Sequence, residues 1–168
     1  MISQIKSVEV NGDHVSITVR DKTILNKLRR ALLSKSETYC IDDIVFIENT
    51  SRSCSESIAF RLNLIPIISG GEISLDIYED KDIAVVSGDL SGCTPAYTDI
   101  IICFLQKGGR LSLKANLKKG SGEINAKWCP INICTIALDK LILETVYPMS
   151  HSNIDRMIEH SLNKIMEV

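Results

Sequence analysis

Residues 23–37 read TILNKLRRALLSKSE, and this stretch has the periodicity of one amphipathic helix. Asp21 and Thr23 can both cap its start. The apolar stripe is wide and comprises Ile24, Leu25, Leu28, Ala31, Leu32 and Leu33. Two interpretations follow: the helix packs on the chain's own sheet, or it docks on a partner protein.

The overall composition is that of a globular protein with a sizeable core. The chain has 168 residues, of which 45% are apolar and 24% charged, and its net charge is −2. A freestanding nucleic-acid-binding protein would normally be strongly basic, so this class is disfavoured. No apolar run reaches the roughly 18 residues of a membrane span. The start, MISQIKSVEV, lacks the apolar region of a secretory signal, so we expect a protein that is not secreted and has no membrane partner.

The cysteines show no ligand spacing for a metal. The six are Cys40, Cys54, Cys93, Cys103, Cys129 and Cys134. None forms a CxxC pair, whereas zinc sites usually need two close Cys or His pairs. Without an export signal, disulfides are also disfavoured. We therefore expect free thiols, no metal and no cofactor.

Both ends of the chain predict a hairpin followed by a helix. Residues 2–10 and 15–19 flank Asn11-Gly12-Asp13, where the glycine can supply the positive φ of a turn. Residues 133–138 and 141–147 flank a second turn. The final helix then carries a stripe of Ile154, Met157, Ile158, Leu162 and Ile165. Such mirrored ends predict one domain built from both termini, with a second domain inserted between them.

The middle of the chain predicts strands and one helix. Residues 39–48 are rich in β-branched and aromatic side chains, as strands are. Residues 53–56 have capping-box spacing for a helix that ends before Pro66. The remaining expectations are a break at 69–71, strands at 73–77, 83–86 and 110–117, a loop at 87–97, a buried segment at 99–105 and a glycine turn at 118–123.

No catalytic constellation emerges from these residues. The sequence has no GxSxG elbow, and Cys–His partnering cannot be seen from spacing. Asp42 and Asp43 are adjacent on a predicted strand, where neighbouring side chains point to opposite faces. They are therefore not expected to share one site.

The ordered motifs resemble the α-like subunits of cellular RNA polymerase. Residues 26–33, NKLRRALL, resemble the first-helix signature of that family. Further segments of the chain resemble the archaeal and eukaryotic branch of the family. They are residues 41–43 (IDD), 48–51 (ENTS), 58–66 (IAFRLNLIP), 107–109 (KGG), 113–115 (LKA), 119–120 (KG) and 126–130 (AKWCP). Residues 143–146 and the last helix match the closing strand and helix, so the resemblance covers nearly the whole chain.

The resemblance implies an α+β fold with a discontinuous dimerisation domain. Hairpins and two helices from residues 1–36 and 139–168 would form it, and residues 37–138 would form an inserted, mostly-β domain. The first and last helices would pack on an equivalent pair from a smaller α-like partner, through Leu25, Leu28, Leu32, Ile154, Ile158, Leu162 and Ile165. Arg29 and Arg30 match positions that contact the second-largest subunit, and a guanidinium can pair bidentately with carboxylates there.

The resemblance also implies the function of a non-catalytic assembly subunit of DNA-directed RNA polymerase. Its heterodimer would be the platform for the two large subunits, and DNA would be reached only through the complex, in cytoplasm, nucleus or virion. The cysteine-rich metal element of many relatives cannot form, since Cys93 is alone between residues 92 and 98. Trp128 is either a core anchor or a large-subunit contact. The alternative functions are a stand-alone adaptor with the same fold and a small enzyme using a thiol.

Overall fold

A computed structural model of the chain describes residues 5–166. In chain order the elements are β1 (Ile5–Asn11), β2 (His14–Val19), α1 (Leu25–Lys35), β3 (Glu37–Asn49), α2 (Ser55–Asn63), β4 (Ile67–Glu79), β5 (Ile83–Val86), β6 (Ser91–Pro95), β7 (Ile101–Leu105), β8 (Gly109–Ser121), β9 (Ile131–Ala137), β10 (Lys140–Thr145) and α3 (His151–Met166). The predicted α+β class is confirmed. Residues 2–4 of the first predicted strand lie outside the described residues.

The chain divides into two compact units. Unit 1 comprises residues 1–38 and 120–168, and unit 2 comprises residues 39–119. The sequence placed the second boundary after residue 138, whereas the structure places it before residue 120. The reason is that β9 pairs with β10 and so belongs to the sheet of unit 1.

Unit 1 is a four-stranded antiparallel sheet covered on one face by α1 and α3. The strand order is β1-β2-β10-β9, and both predicted hairpins are present. Gly12 has a φ of +66° in the first turn, as its position predicts. Leu141 lies opposite Ile17 and Leu143 opposite Val15, so apolar side chains from both ends of the chain meet under the helices.

The helix predicted at residues 23–37 is shorter in the structure, where α1 spans Leu25–Lys35. A 3₁₀ turn, Lys22–Ile24, precedes α1, and the Asp21 carboxylate accepts the Thr23 backbone N–H at 2.9 Å. This hydrogen bond lowers the pKa of Asp21. The capping box predicted for α2 is absent, because Cys54 is the N-cap and its side chain makes no capping bond.

Unit 2 contains a second four-stranded sheet, in the order β3-β8-β4-β6, and a two-stranded sheet of β5 and β7. The break predicted at residues 69–71 is wrong, since these residues continue β4. A Cβ on Gly70 would lie 2.7 Å from Cys93, so the glycine allows β6 to approach. The predicted loop at 87–97 contains β6, and the predicted turn at 118–123 begins inside β8. None of the helices in residues 5–166 is long and apolar enough to cross a membrane.

Candidate partner interface

The predicted dimer residues lie almost entirely in the core of unit 1. Six of them are buried by the chain's own sheet and helices: Leu25, Leu28, Leu32, Ile154, Ile158 and Leu162. Ile165 is only partly buried. The apolar stripe of α1 therefore packs on its own sheet, the first of the two interpretations above. This differs from the expectation that a partner covers these residues, because β2, β10 and α3 already do.

Partly exposed apolar side chains remain around the two helices. They pack against the core of unit 1 without being fully covered, and they include Ile24, Leu33, Met157 and Ile165. The sequence placed Leu33 and Met157 in the apolar stripes of the two helices, but periodicity could not show that they lie at the edges of those stripes. These side chains are the apolar surface that the helices still offer to another protein.

Arg29 and Arg30 lie on α1, where Arg29 is partly exposed and Arg30 fully exposed. Within residues 5–166, neither guanidinium forms an ion pair with a carboxylate. Arg29 is close enough to Cys134 on β9 to stabilise its thiolate. The helix thus presents cationic groups that the described part of the chain does not neutralise.

The hairpin of β9 and β10 is an apolar surface that the sequence reasoning missed. Four of its side chains are substantially exposed: Ile133, Ile136, Leu138 and Ile142. Leu138 is 87% exposed and has a φ of +59°, which is rare for a bulky residue. A signal was available, since residues 130–138 contain no charge.

Trp128 lies in a 3₁₀ turn, Ala126–Trp128, and is only 9% exposed. A Cβ on Gly120 would come within 2.7 Å of its ring atom Cε2. Lys127 Nζ lies 4.5 Å from the ring centroid. Trp128 is therefore a core residue, and it belongs to unit 1 rather than to the inserted segment.

Three of the six thiols, those of Cys93, Cys103 and Cys134, have a pKa that burial raises. No three His, Cys, Asp or Glu side chains among the described residues are grouped closely enough to hold a metal ion. Burial raises the pKa of Cys134 to about 11. A raised pKa keeps a thiol protonated and weakly nucleophilic at neutral pH.

One pocket of about 560 Å³ lies in unit 2, beside Arg52, Asp82 and Phe104. The Asp82 carboxylate already accepts the Lys107 backbone N–H at 2.8 Å. The lining contains no Cys or His, so the pocket offers no nucleophile of the thiol–imidazole type.

Known proteins similar to this chain are described as subunits of DNA-directed RNA polymerase. No family model matches the chain. The chain is 34% identical over 146 residues to DNA-directed RNA polymerase subunit Rpo3 of Thermococcus kodakarensis. The aligned region covers 76% of this chain and 56% of that relative. It is 28% identical over 178 residues to DNA-directed RNA polymerase II subunit rpb3 of Dictyostelium discoideum, with 83% and 59% covered. The chain belongs with the α-like subunits of RNA polymerase.

A third α-like relative is subunit Rpo3 of Methanocaldococcus jannaschii, at 32% identity over 114 residues and 64% of this chain. The chain spans only 56–60% of the length of these three α-like subunits. The resemblance drawn from residues 26–33 and the later motifs is thus confirmed at the level of the α-like family.

Proposed function

We propose that this chain is a non-catalytic assembly subunit of DNA-directed RNA polymerase. It pairs with a smaller α-like subunit, and the heterodimer holds the two large catalytic subunits wherever that polymerase works. The similarity to α-like subunits over most of the chain carries this proposal. The packing of α1 and α3 side by side on a sheet drawn from both ends of the chain supports it.

The heterodimer contact that we propose uses the rim of α1 and α3. Leu28 and Leu32 have no exposed surface, so they contribute by holding α1 against the sheet. Leu33, Met157 and Ile165 have apolar surface left to bury. At about 25 cal/mol per Å² such burial favours association, although lost translational and rotational freedom offsets much of it.

Arg29 and Arg30 are proposed to contact the second-largest subunit. Both lack a carboxylate partner within the described residues, and a planar guanidinium can pair bidentately with one on another protein. The net charge of −2 gives no basic surface excess for binding DNA directly, so DNA contact would pass through the large subunits.

The chain's contribution is proposed to be binding rather than chemistry. Burial keeps Cys93, Cys103 and Cys134 protonated, which disfavours the thiol-enzyme alternative. The lining of the pocket in unit 2 adds no thiol or imidazole to change this.

Co-expression with the small α-like and the two large subunits of its polymerase tests the proposal. Size-exclusion chromatography with light scattering should show a heterodimer and then the larger complex. Ile165→Glu should weaken the heterodimer at least about tenfold, because it places a charge in an apolar contact. Asn163→Glu, which adds the same charge on an exposed position of α3, is the matched control.

Amide exchange of unit 1 must show that Ile165→Glu leaves it folded. An unchanged heterodimer in that variant would place the contact elsewhere. Association with an unrelated protein, and with no polymerase subunit, would favour the adaptor alternative.

A further inference from the structure

The two edges of the unit 1 sheet differ in how they are protected against pairing. An exposed edge strand is a template for another strand unless charges, prolines or bulges block it. β1 carries Lys6 and Glu9, and its register shifts between Ile5 and Ser7. β9 reads INICTIA, and its register against β10 shifts between Ile131 and Ile133, which leaves a bulge at Asn132. From residue 133 to residue 137 the strand has no charge, proline or register shift, so this stretch is the less protected of the two edges.

The hairpin register shows which backbone groups β9 leaves unpaired. Ala137 lies opposite Lys140 across a two-residue turn, so these two residues exchange hydrogen bonds. Because bonded positions alternate as far as the bulge at Asn132, the N–H and C=O groups of Cys134 and Ile136 point away from β10. Among residues 5–166, no strand pairs with β9 on that side.

Apolar side chains lie along the same edge. Ile133 is 50% and Ile136 is 42% exposed, and Leu138 extends from the turn that follows. The left-handed backbone at Leu138 costs about 1–2 kcal/mol for a residue with a Cβ. A two-residue hairpin turn requires a positive φ at its first position, and here an exposed apolar side chain occupies that position instead of a glycine.

A positive charge flanks this uncharged edge. α1 packs against β9, and the thiol of Cys129, which precedes β9, donates a hydrogen bond to the Leu33 carbonyl at 3.4 Å. Arg29, on the same helix, is near Cys134 and has no carboxylate partner in the described part of the chain. Two copies of this chain paired through β9 would bring their Arg29 side chains together. An acidic segment complements the edge, and a second copy does not.

We propose that the free edge of β9 binds an extended segment of another polymerase subunit. That segment is apolar at alternate positions, adds a strand beside β9 and carries a carboxylate that meets Arg29. Leu138 is the apolar anchor at the end of the added strand. Main-chain hydrogen bonds provide the affinity in this type of recognition, and the side chains provide the specificity. The inference rests on the proposed function, since it takes the partner from the polymerase.

Amide exchange on the assembled complex tests this directly. The amides of Cys134 and Ile136 should exchange at least about tenfold more slowly in the complex than in the chain alone. Ile136→Pro removes one outward N–H and leaves the bonds between β9 and β10 intact. It should release the subunit that supplies the strand, whereas Ile136→Thr, which keeps the N–H, should retain it.

The outcomes separate the two proposals. A chain that joins no polymerase subunit overturns both. A chain that joins the complex while its β9 amides remain unprotected overturns the edge inference alone. Equal loss in Ile136→Thr and Ile136→Pro would also overturn it, since the contact would then depend on the side chain. The edge inference would also be overturned if the isolated chain formed a dimer that Ile136→Pro abolished. The occupant of the β9 edge would then be a second copy of this chain.

Discussion

The Lys118 ammonium lies 2.7 Å from the carboxylate of Asp43 and 3.4 Å from that of Asp42. Adjacent residues on a regular strand would face opposite sides, and the sequence predicted that these two could not share a site. Asp43 has a φ of +48°, which breaks the alternation within β3. The hydrogen bond from Lys118 to Asp43 raises the pKa of Lys118.

Substitution at Asp43 should separate the backbone effect from the charge effect. Asn tolerates the left-handed conformation and Ala does not. Asp43→Ala should therefore lower the free energy of unfolding of unit 2 by about 1–2 kcal/mol more than Asp43→Asn does. Urea unfolding of both variants measures the difference. Equal losses would mean that the backbone at this position is not strained.

Leu28→Asp should unfold unit 1 and leave unit 2 folded. Leu28 is fully buried, so an unpaired charge there should cost roughly 3–5 kcal/mol. Asn26→Asp adds the same charge at an exposed position of α1 and should be nearly neutral. Residue-resolved amide exchange reads the two units separately. A folded unit 1 in Leu28→Asp would show that this side chain lies at the surface.

Gly120→Ala should destabilise unit 1 by about 1–3 kcal/mol, because the added methyl group would overlap the Trp128 ring. Trp128 is the only tryptophan, so its fluorescence reports on this contact alone. Gly71→Ala is the control, since a Cβ there meets nothing within 4 Å. Similar unfolding midpoints for the two variants would contradict the packing described here.

Acidification should reveal the ion pair of Arg110 and Asp76. Two hydrogen bonds from Arg110, at 2.9 and 3.0 Å, hold the pKa of Asp76 below its ordinary value of 3.8. A lowered folded-state pKa gives stability that is present above pH 3.8 and is lost as the pH falls towards the folded value. Arg110→Gln should therefore flatten the acid limb of the stability profile and raise the Asp76 pKa measured by NMR. An unchanged pKa would show that the pair does not persist in solution.

Alkylation should distinguish the cysteines. Cys54 is exposed, whereas burial raises the pKa of Cys134 to about 11. At pH 8, iodoacetamide should modify Cys54 well before Cys134, as mass spectrometry of peptides can measure. Arg29→Gln removes a group that favours the Cys134 thiolate, so it should slow that reaction further. Faster modification in this variant would contradict the placement of Arg29.

Local signals in the sequence were sufficient for the hairpins and helices. Gly12 and the alternation on each side of it define the first turn, and the helical stripes define α1 and α3. The break predicted at Gly70 failed because a glycine that admits a neighbouring strand looks the same in sequence as one that ends a strand. Propensity describes one chain segment, whereas this close approach involves two.

The partner surface was harder to predict for the same reason. Leu28 has the spacing of an interface residue and equally that of a core residue, and only the position of β10 decides between them. Leu138 carried no periodic signal, because its exposure and left-handed backbone depend on the turn between β9 and β10.

The pairing of β2 with β10 also constrains the order of events on the ribosome. All of unit 2 is synthesised between these two strands, so it can collapse around its own core as soon as β8 has emerged. The stripe of α1 has no complete cover until β10 and α3 have also been synthesised. During that interval the nascent chain exposes Leu28 and Leu32, which makes this helix the natural target of a chaperone.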